Sequence, residues 1–273
     1  MKKIIFALTI AGSDSGGGAG IQADLKTFSA LGVFGCSAIT AVTAQNTLGV
    51  RDIQAINPNI VSSQIDAVME DFDIKAIKTG MLFSTENVFA IKECFLKYKQ
   101  LNRNFKFVLD PVMIATSGSK LILSDTAKAI CEHLFPFADI ITPNIDEAET
   151  FLNAKISNVE DMKSAAQKLK IKYNIKSVLI KGGHLQGKDI TDVLFSDNGF
   201  SFFKSDKIDT HNTHGTGCTL SSAITAFLAK GQSMETAVGN AKTYITQAIA
   251  TAKDMKLGHG HGSVNHFFSL FAE

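Results

Sequence analysis

Short apolar runs alternate with amphipathic runs along almost the whole chain, and this rhythm is the strongest restriction on its fold. Ile4–Ile10, Val33–Val42, Ile74–Lys78, Phe105–Leu109, Asp139–Thr142 and Val178–Ile180 read as strands. Between them lie segments with helical spacing: Ile21–Leu31, Ile60–Phe72, Glu86–Tyr98, Thr126–Leu134, Ile145–Leu152 and Val159–Tyr173. Asp192–Phe195 and Phe200–Phe203 read as a hairpin around Asp197-Asn198-Gly199, and two helices follow at about Cys218–Ala229 and Met234–Lys253. Strand–helix alternation of this kind builds a mostly parallel sheet with helices on both faces. Four prolines and no linker-like stretch in 273 residues suggest one domain.

Ligands of such sheets bind beyond the carboxyl ends of the strands. The unusual residues of this chain cluster there: the loop after the first strand, Gln45 to Thr47, Thr79 to Met81, Asp110-Pro111, Pro143-Asn144 and Gly182-Gly183. The densest feature is THGTGCT at Thr213–Thr219, leading into an apolar helix. The first amides of a helix lack intrahelical acceptors and sit at the positive end of its dipole, so Gly215, Thr216 and Gly217 suit an anionic oxygen. Cys218 lies inside that turn, where a helix N-terminus is expected to lower a thiol pKa and make it a base or nucleophile.

Other features are weaker. Gly18, Gly20 and Ala23 match GxGxxA, but Thr43 to Asn46 offer no acidic residue for a ribose, which argues against a dinucleotide fold. Gly182 to Asp189 matches GxxxxGK, yet Asp189 replaces the hydroxyl residue and a strand-like segment follows, so this is not a P-loop. Asp110, with Asn144 and Glu147 in an NxxE pattern, places two carboxylates on neighbouring strand ends, which suits Mg2+; Glu147 alone could equally be an acidic helix-start residue. Lys181 ends its strand as a phosphate contact or a solvated lysine. The histidines around Gly258–Gly262 stand on no rigid platform, and His211 and His214 lack metal spacing.

The net charge of +1 is interspersed and leaves no nucleic-acid footprint, and no apolar run reaches the length of a membrane span. Cys36, Cys94, Cys131 and Cys218 lack CxxC spacing, which fits reduced thiols in a cytoplasmic setting. The N-terminus imitates a signal peptide, but Asp14 stands where cleavage would fall, so a buried first strand is the better reading.

Taken in order, AGSDSGGGAGIQAD at Ala11–Asp24, AITAVTAQNT at Ala38–Thr47, KTGM at Lys78–Met81, LDPVM at Leu109–Met113, TPNIDEAE at Thr142–Glu149, IKGGH at Ile180–His184 and THGTGCT resemble the hydroxymethylpyrimidine/phosphomethylpyrimidine kinases of thiamine biosynthesis, a branch of the ribokinase-like superfamily. The resemblance runs from about residue 4 to the C-terminal GHGSVNHFF. Ser263 departs from it where a proline is expected, in a turn read as peripheral. The resemblance implies a three-layer α/β/α fold, ATP as co-substrate, Mg2+ held through Asp110 and Glu147, and a homodimer. It assigns the aminopyrimidine to Asp24 and Gln45, with Gly12, Met81 and Val112 lining its pocket. ATP and phosphate fall to Lys181, Asn144 and Thr219, and proton transfer to Cys218. A side-chain amide pairs a donor with an acceptor, matching a ring nitrogen beside an exocyclic amine. Ala115 to Lys120, small and polar, suits a closing flap. Pyridoxal kinase is the nearest rival. A cysteine hydrolase would need His214 as base without an evident partner, and a sensor that had lost chemistry should lack the thiol, carboxylates or anion turn that this chain retains.

Overall fold

The computed structural model describes residues 4–113, 124–183, 185 and 189–270. Residues 115–120, expected as a flap, lie outside them, as do several positions of the 182–189 loop. In chain order the strands are β1 (Phe6–Asp14), β2 (Phe34–Asn46), β3 (Gly49–Ala55), β4 (Ile74–Thr79), β5 (Lys106–Leu109), β6 (Ile140–Ile141), β7 (Val178–Ile180), β8 (Asp189–Ser196) and β9 (Gly199–Asp206). The helices are α1 (Gly20–Ala30), α2 (Pro58–Asp71), α3 (Thr85–Gln100), α4 (Ser124–His133), α5 (Ile145–Leu152), α6 (Val159–Tyr173), α7 (Thr216–Ala229) and α8 (Met234–Ala252).

They form one sheet in the order β3-β2-β1-β4-β5-β6-β7-β8-β9. β2, β1, β4, β5, β6 and β7 run parallel; β3 joins one edge antiparallel, and the β8–β9 hairpin closes the other. The expected mostly parallel architecture is therefore present. β3 is the element that periodicity misses. Arg51, Asp52, Gln54 and Ala55 are exposed, so little of its sequence alternates between core and solvent.

The central strands are apolar on both faces because both faces are covered. In β5, Phe107 and Leu109 join the core beneath α2, α3, α4 and α6, with Ile65, Ile91, Ile130 and Leu169. Val108 points the other way, towards Leu220 and Ile224 of α7 and Val238 and Ile245 of α8. Helix starts are marked locally: Asn57, Ser84, Asn158 and Ser233 each accept an amide of their own helix. The chain builds outward from β1 to β2, then restarts on β1's other side at β4. Loops leaving β1 and β4 thus diverge, opening a crevice at their carboxyl ends.

Candidate active site

A cavity of about 1250 Å³ occupies that crevice. It runs from Gly12, Gln45 and Met81 at one end, past Asp110, Lys181 and the first turn of α7, to Asp192, Ile208 and Lys242 at the other. This volume exceeds a typical single-ligand pocket and leaves room for two substrates meeting at the α7 turn.

That turn depends on Gly215, the N-cap of α7, whose φ is 79°. A side chain there would be strained, and its Cβ would collide with the Gly18 carbonyl oxygen. The anion turn and the glycine-rich loop are therefore interlocked. The Thr216 amide bonds Thr213 O at 3.2 Å, and the first i→i−4 bond runs from the Thr219 amide to Gly215 O at 2.8 Å. By position in the helix, the Gly217 and Cys218 amides have no intrahelical acceptor and are the donors best placed for an anion. A Cβ on Gly217 would stand 3.4 Å from Lys181 Nζ and 3.7 Å from Asp110 Oδ2, which puts the turn directly over both groups.

Asp110 and Lys181 end neighbouring strands and form a 3.0 Å ion pair. Thr142 Oγ1 donates to Asp110 Oδ1 at 3.1 Å, and Ser221 Oγ to Oδ2 at 3.2 Å. Burial pushes the Asp110 carboxyl up, but Lys181, Lys78 and these hydrogen bonds hold it below the usual carboxylate range. Burial opposes the charge of Lys181, while Asp110 and Glu147 together raise its pKa, so it stays a cation. Asn144 and Glu147 form a capping box on α5: Asn144 Oδ1 accepts the Glu147 amide, and Glu147 Oε2 accepts the Asn144 amide, both at 2.8 Å. The helix-start role of Glu147 is thus real. Burial and the Asp110 charge raise its pKa to about 7, with Lys181 opposing.

Three expectations need correction. Cys218 is half-buried, and burial pushes its thiol up to about 11; Asp24 and Asp110 add to the rise, and Lys78 and the Gly20 amide counter it only in part. Burial, with the carboxylates beneath the turn adding to it, outweighs the cation and the amide that favour the thiolate, so the resting group is a thiol. Asp24 lies beneath the cavity and does not line it. Its two oxygens accept from Lys78 Nζ at 2.9 Å each and from the hydroxyls of Thr9 and Ser222. It holds the base of the site together from inside. Thr219 is likewise buried, with Oγ1 3.0 Å from Nε2 of His266, whose pKa burial lowers to about 4.

The other expected residues, Gly12, Gln45, Met81, Val112, Asn144, Asp110, Glu147, Lys181 and Gly215–Cys218, all line the cavity. The Gly12 amide donates to Met81 O at 3.1 Å, which ties the β1 and β4 loops together. Sequence reading named Asp14 and His214 but gave neither a place in the kinase site. Asp14 accepts amides of Gly16, Gly18 and Ala19, and His214 Nε2 lies 2.8 Å from its Oδ2. Burial raises the Asp14 carboxyl, yet His214 and the amides hold it below the usual range. Only the glycine run around Asp14 hinted at such a nest; 200 residues of separation hid the pairing. Ser263 bridges to His214, so its turn braces the site and is not peripheral.

The chain matches the phosphomethylpyrimidine kinase family model over residues 14–265. A Rhizobium meliloti hydroxymethylpyrimidine/phosphomethylpyrimidine kinase is 46% identical over 261 residues, 96% of each chain.

The chain belongs to the phosphomethylpyrimidine kinase family.

A bifunctional thiamine biosynthesis protein of Geobacter sulfurreducens is 48% identical over 262 residues; the match takes in 96% of this chain and 52% of that protein, so the chain spans about half of it. Among solved structures, the Staphylococcus aureus pyridoxal kinase in complex with AMP-PCP and pyridoxal superposes with a TM-score of 0.86 at 32% identity, over 99% of this chain and 96% of that one. The ribokinase-like α/β fold of this kinase family is thus shared by an enzyme acting on another heterocycle. Among the described residues no helix is long and apolar enough to cross a membrane.

Proposed function

We propose that this kinase transfers the γ-phosphoryl group of ATP to the hydroxymethyl oxygen of 4-amino-5-hydroxymethyl-2-methylpyrimidine, and then a second phosphoryl group to the resulting monophosphate. The observation that carries this reading is one cavity of about 1250 Å³ whose lining includes the α7 turn and Lys181 together with Gln45 and Met81, which suit a heterocycle, and Ile208 and Lys242, which are assigned to the nucleotide. Gln45 offers the paired donor and acceptor for the aminopyrimidine edge, and Met81 packs on the ring face. Gly217 and Cys218 amides with Lys181 stabilise charge on the transferring phosphoryl oxygens. A loose transition state asks for positioning and charge stabilisation above strong base catalysis, which agrees with a protonated Cys218. Its sulfur positions the substrate hydroxyl, whose proton passes late in the step to an oxygen of the transferred phosphoryl group and from there to solvent, as the bond to the ADP oxygen breaks.

The residues present fit magnesium. Asp110 and Glu147 are buried carboxylates on adjacent loops, and Glu147, raised to about 7, is incompletely ionised without a further cation near it. Among the described residues no three of His, Cys, Asp or Glu gather into a cage, and magnesium bound through one or two carboxylates and nucleotide phosphates needs none. Held by Asp110 and Glu147, directly or through water, it would neutralise nucleotide phosphate charge. A homodimer, which the family resemblance implies, belongs to the same proposal.

The test is ATP consumption by purified protein with the hydroxymethylpyrimidine, its monophosphate and pyridoxal. Turnover with the first two well above pyridoxal is expected. Turnover with pyridoxal alone would move the enzyme to vitamin B6 salvage and overturn the role given to Gln45.

A further inference from the structure

We infer that Asp14 and His214 are positioning residues that fix the side-chain amide of Gln45 in one of its two orientations and thereby select an amino-heterocycle over its oxo analogue. The inference rests on the functional reading above.

Four groups, Asp14, His214, Thr43 and Gln45, share a limited set of hydrogens. Asp14 is held ionised, so its carboxylate only accepts. Its Oδ1 takes the Gly16 amide at 2.8 Å, and its Oδ2 takes Gly18, Ala19 and His214 Nε2 at 3.1, 2.9 and 2.8 Å. His214 Nε2 must therefore carry its hydrogen. As placed, Gln45 Nε2 lies 3.3 Å from the same His214 nitrogen and Gln45 Oε1 lies 3.2 Å from Thr43 Oγ1, but a half-turn exchanges the two ends of an amide and the hydrogen bonds decide between them. The His214 hydrogen is spent on Asp14 and the protonated nitrogen keeps no lone pair to accept with, so an NH2 placed there finds no acceptor, whereas the carbonyl oxygen leaves no donor unpaired. The other end of the amide lies 3.2 Å from Thr43 Oγ1, whose single hydrogen goes to Ser13 O at 2.8 Å. With its hydrogen committed, Thr43 Oγ1 accepts, so the Gln45 end beside it has to be the NH2. Both neighbours favour the same orientation: with the NH2 end beside Thr43 it has an acceptor, and the reverse would set the carbonyl against the Thr43 oxygen and leave the NH2 without an acceptor beside His214.

His214 has little freedom to release this arrangement. A Cβ on Gly18 would fall 2.5 Å from His214 Cδ2, so the ring packs tightly against the glycine loop. On the other side the His214 amide donates to Gly262 O at 3.0 Å, and the adjoining Gly260 amide donates to Thr47 Oγ1, two residues from Gln45.

With the amide fixed, its remaining N–H emerges on the Thr43 side and its remaining carbonyl lone pair on the His214 side. A 4-aminopyrimidine presents a ring-nitrogen acceptor beside an amine donor and satisfies both. The 4-oxo analogue presents an N–H donor beside a carbonyl acceptor, the reversed pattern, and requires the disfavoured orientation. A site built to pair a polar edge discriminates strongly against the mismatched edge, because its own groups are left unpaired.

The experiment measures kcat and KM for ATP, for the 4-aminopyrimidine substrate and for its 4-oxo analogue in the wild type and in three variants. His214→Phe keeps a planar ring without N–H. His214→Gln restores an N–H near the Nε2 position. Thr43→Val removes the hydroxyl that holds the NH2 end. We expect His214→Phe and Thr43→Val each to lower the amino-over-oxo ratio of kcat/KM by about tenfold or more. The loss should appear chiefly in KM for the pyrimidine, with KM for ATP within about twofold and the ratio largely recovered in His214→Gln. Thr43→Val decides the matter should His214→Phe fail to fold. Wild-type turnover of the aminopyrimidine with an unchanged ratio in the folded variants overturns the inference alone. Absence of that turnover in the wild type overturns the functional reading and the inference with it.

Discussion

Replacing Lys78 by methionine tests whether the floor of the site is held by a buried ion pair. Lys78 and Asp24 are fully buried, and the ammonium group reaches both carboxylate oxygens at 2.9 Å. Burial opposes the lysine charge, but Asp24, with Cys218 and Asp110 further off, raises its pKa overall, so the pair is ionic. Methionine fills nearly the same volume without the charge. Asp24 then keeps only the Thr9 and Ser222 hydroxyls, which cannot neutralise it. Removing one partner of a buried pair costs about 3–5 kcal/mol. At about 2–4 °C per kcal/mol for a chain of this size, the melting temperature should fall by roughly 6–20 °C. The assay is thermal unfolding followed by circular dichroism, with Asp24→Asn/Lys78→Met measured in parallel. The double variant removes both charges and should recover part of the loss, a coupling that two independent sites would not show. A Lys78→Met protein melting within about 2 °C of wild type would refute the argument that this pair holds the floor.

Three further outcomes are expected. With a pKa of about 11, only about one Cys218 in 10⁴ is thiolate at pH 7, so its alkylation by iodoacetamide, followed by peptide mass spectrometry, should rise about tenfold per pH unit through pH 9; a plateau at pH 8 or below would restore the thiolate base. Glu147, raised from 4.5 to about 7, keeps its proton in the folded state where the unfolded chain has lost it, so its burial penalty appears as pH rises through that interval. Glu147→Gln retains the cap acceptor and should stabilise the protein by on the order of 2–3 kcal/mol at pH 8 but scarcely at pH 4.5, while lowering turnover; equal melting temperatures at pH 8 would sink the reasoning. Gly215→Ala meets both the positive φ and the Gly18 carbonyl, and should cost about 2 kcal/mol or more and at least tenfold in kcat; a fully active, equally stable variant would show that the two loops are not interlocked.

The alternation of apolar and amphipathic runs was enough to specify a parallel sheet with helices on both faces, because strand and helix periods are local properties of the chain. α5, α6 and β7 lie where the periodicity put them. β3 did not show, since an exposed edge strand buries too little to leave a pattern. The strand-end residues could also be read in sequence, because a parallel sheet delivers all of its carboxyl ends to one side. Their electrostatics could not. A helix N-terminus argues for an acidic thiol at Cys218, and only the fold buries that thiol, above Asp24 and Asp110, and reverses the sign. Asp24 looked like a ligand contact until folding set Lys78 across both of its oxygens. The Asp14–His214 contact joins residues 200 positions apart. Periodicity acts over a few residues and survives in sequence, whereas charge and hydrogen-bond pairing depend on distances that only chain closure sets.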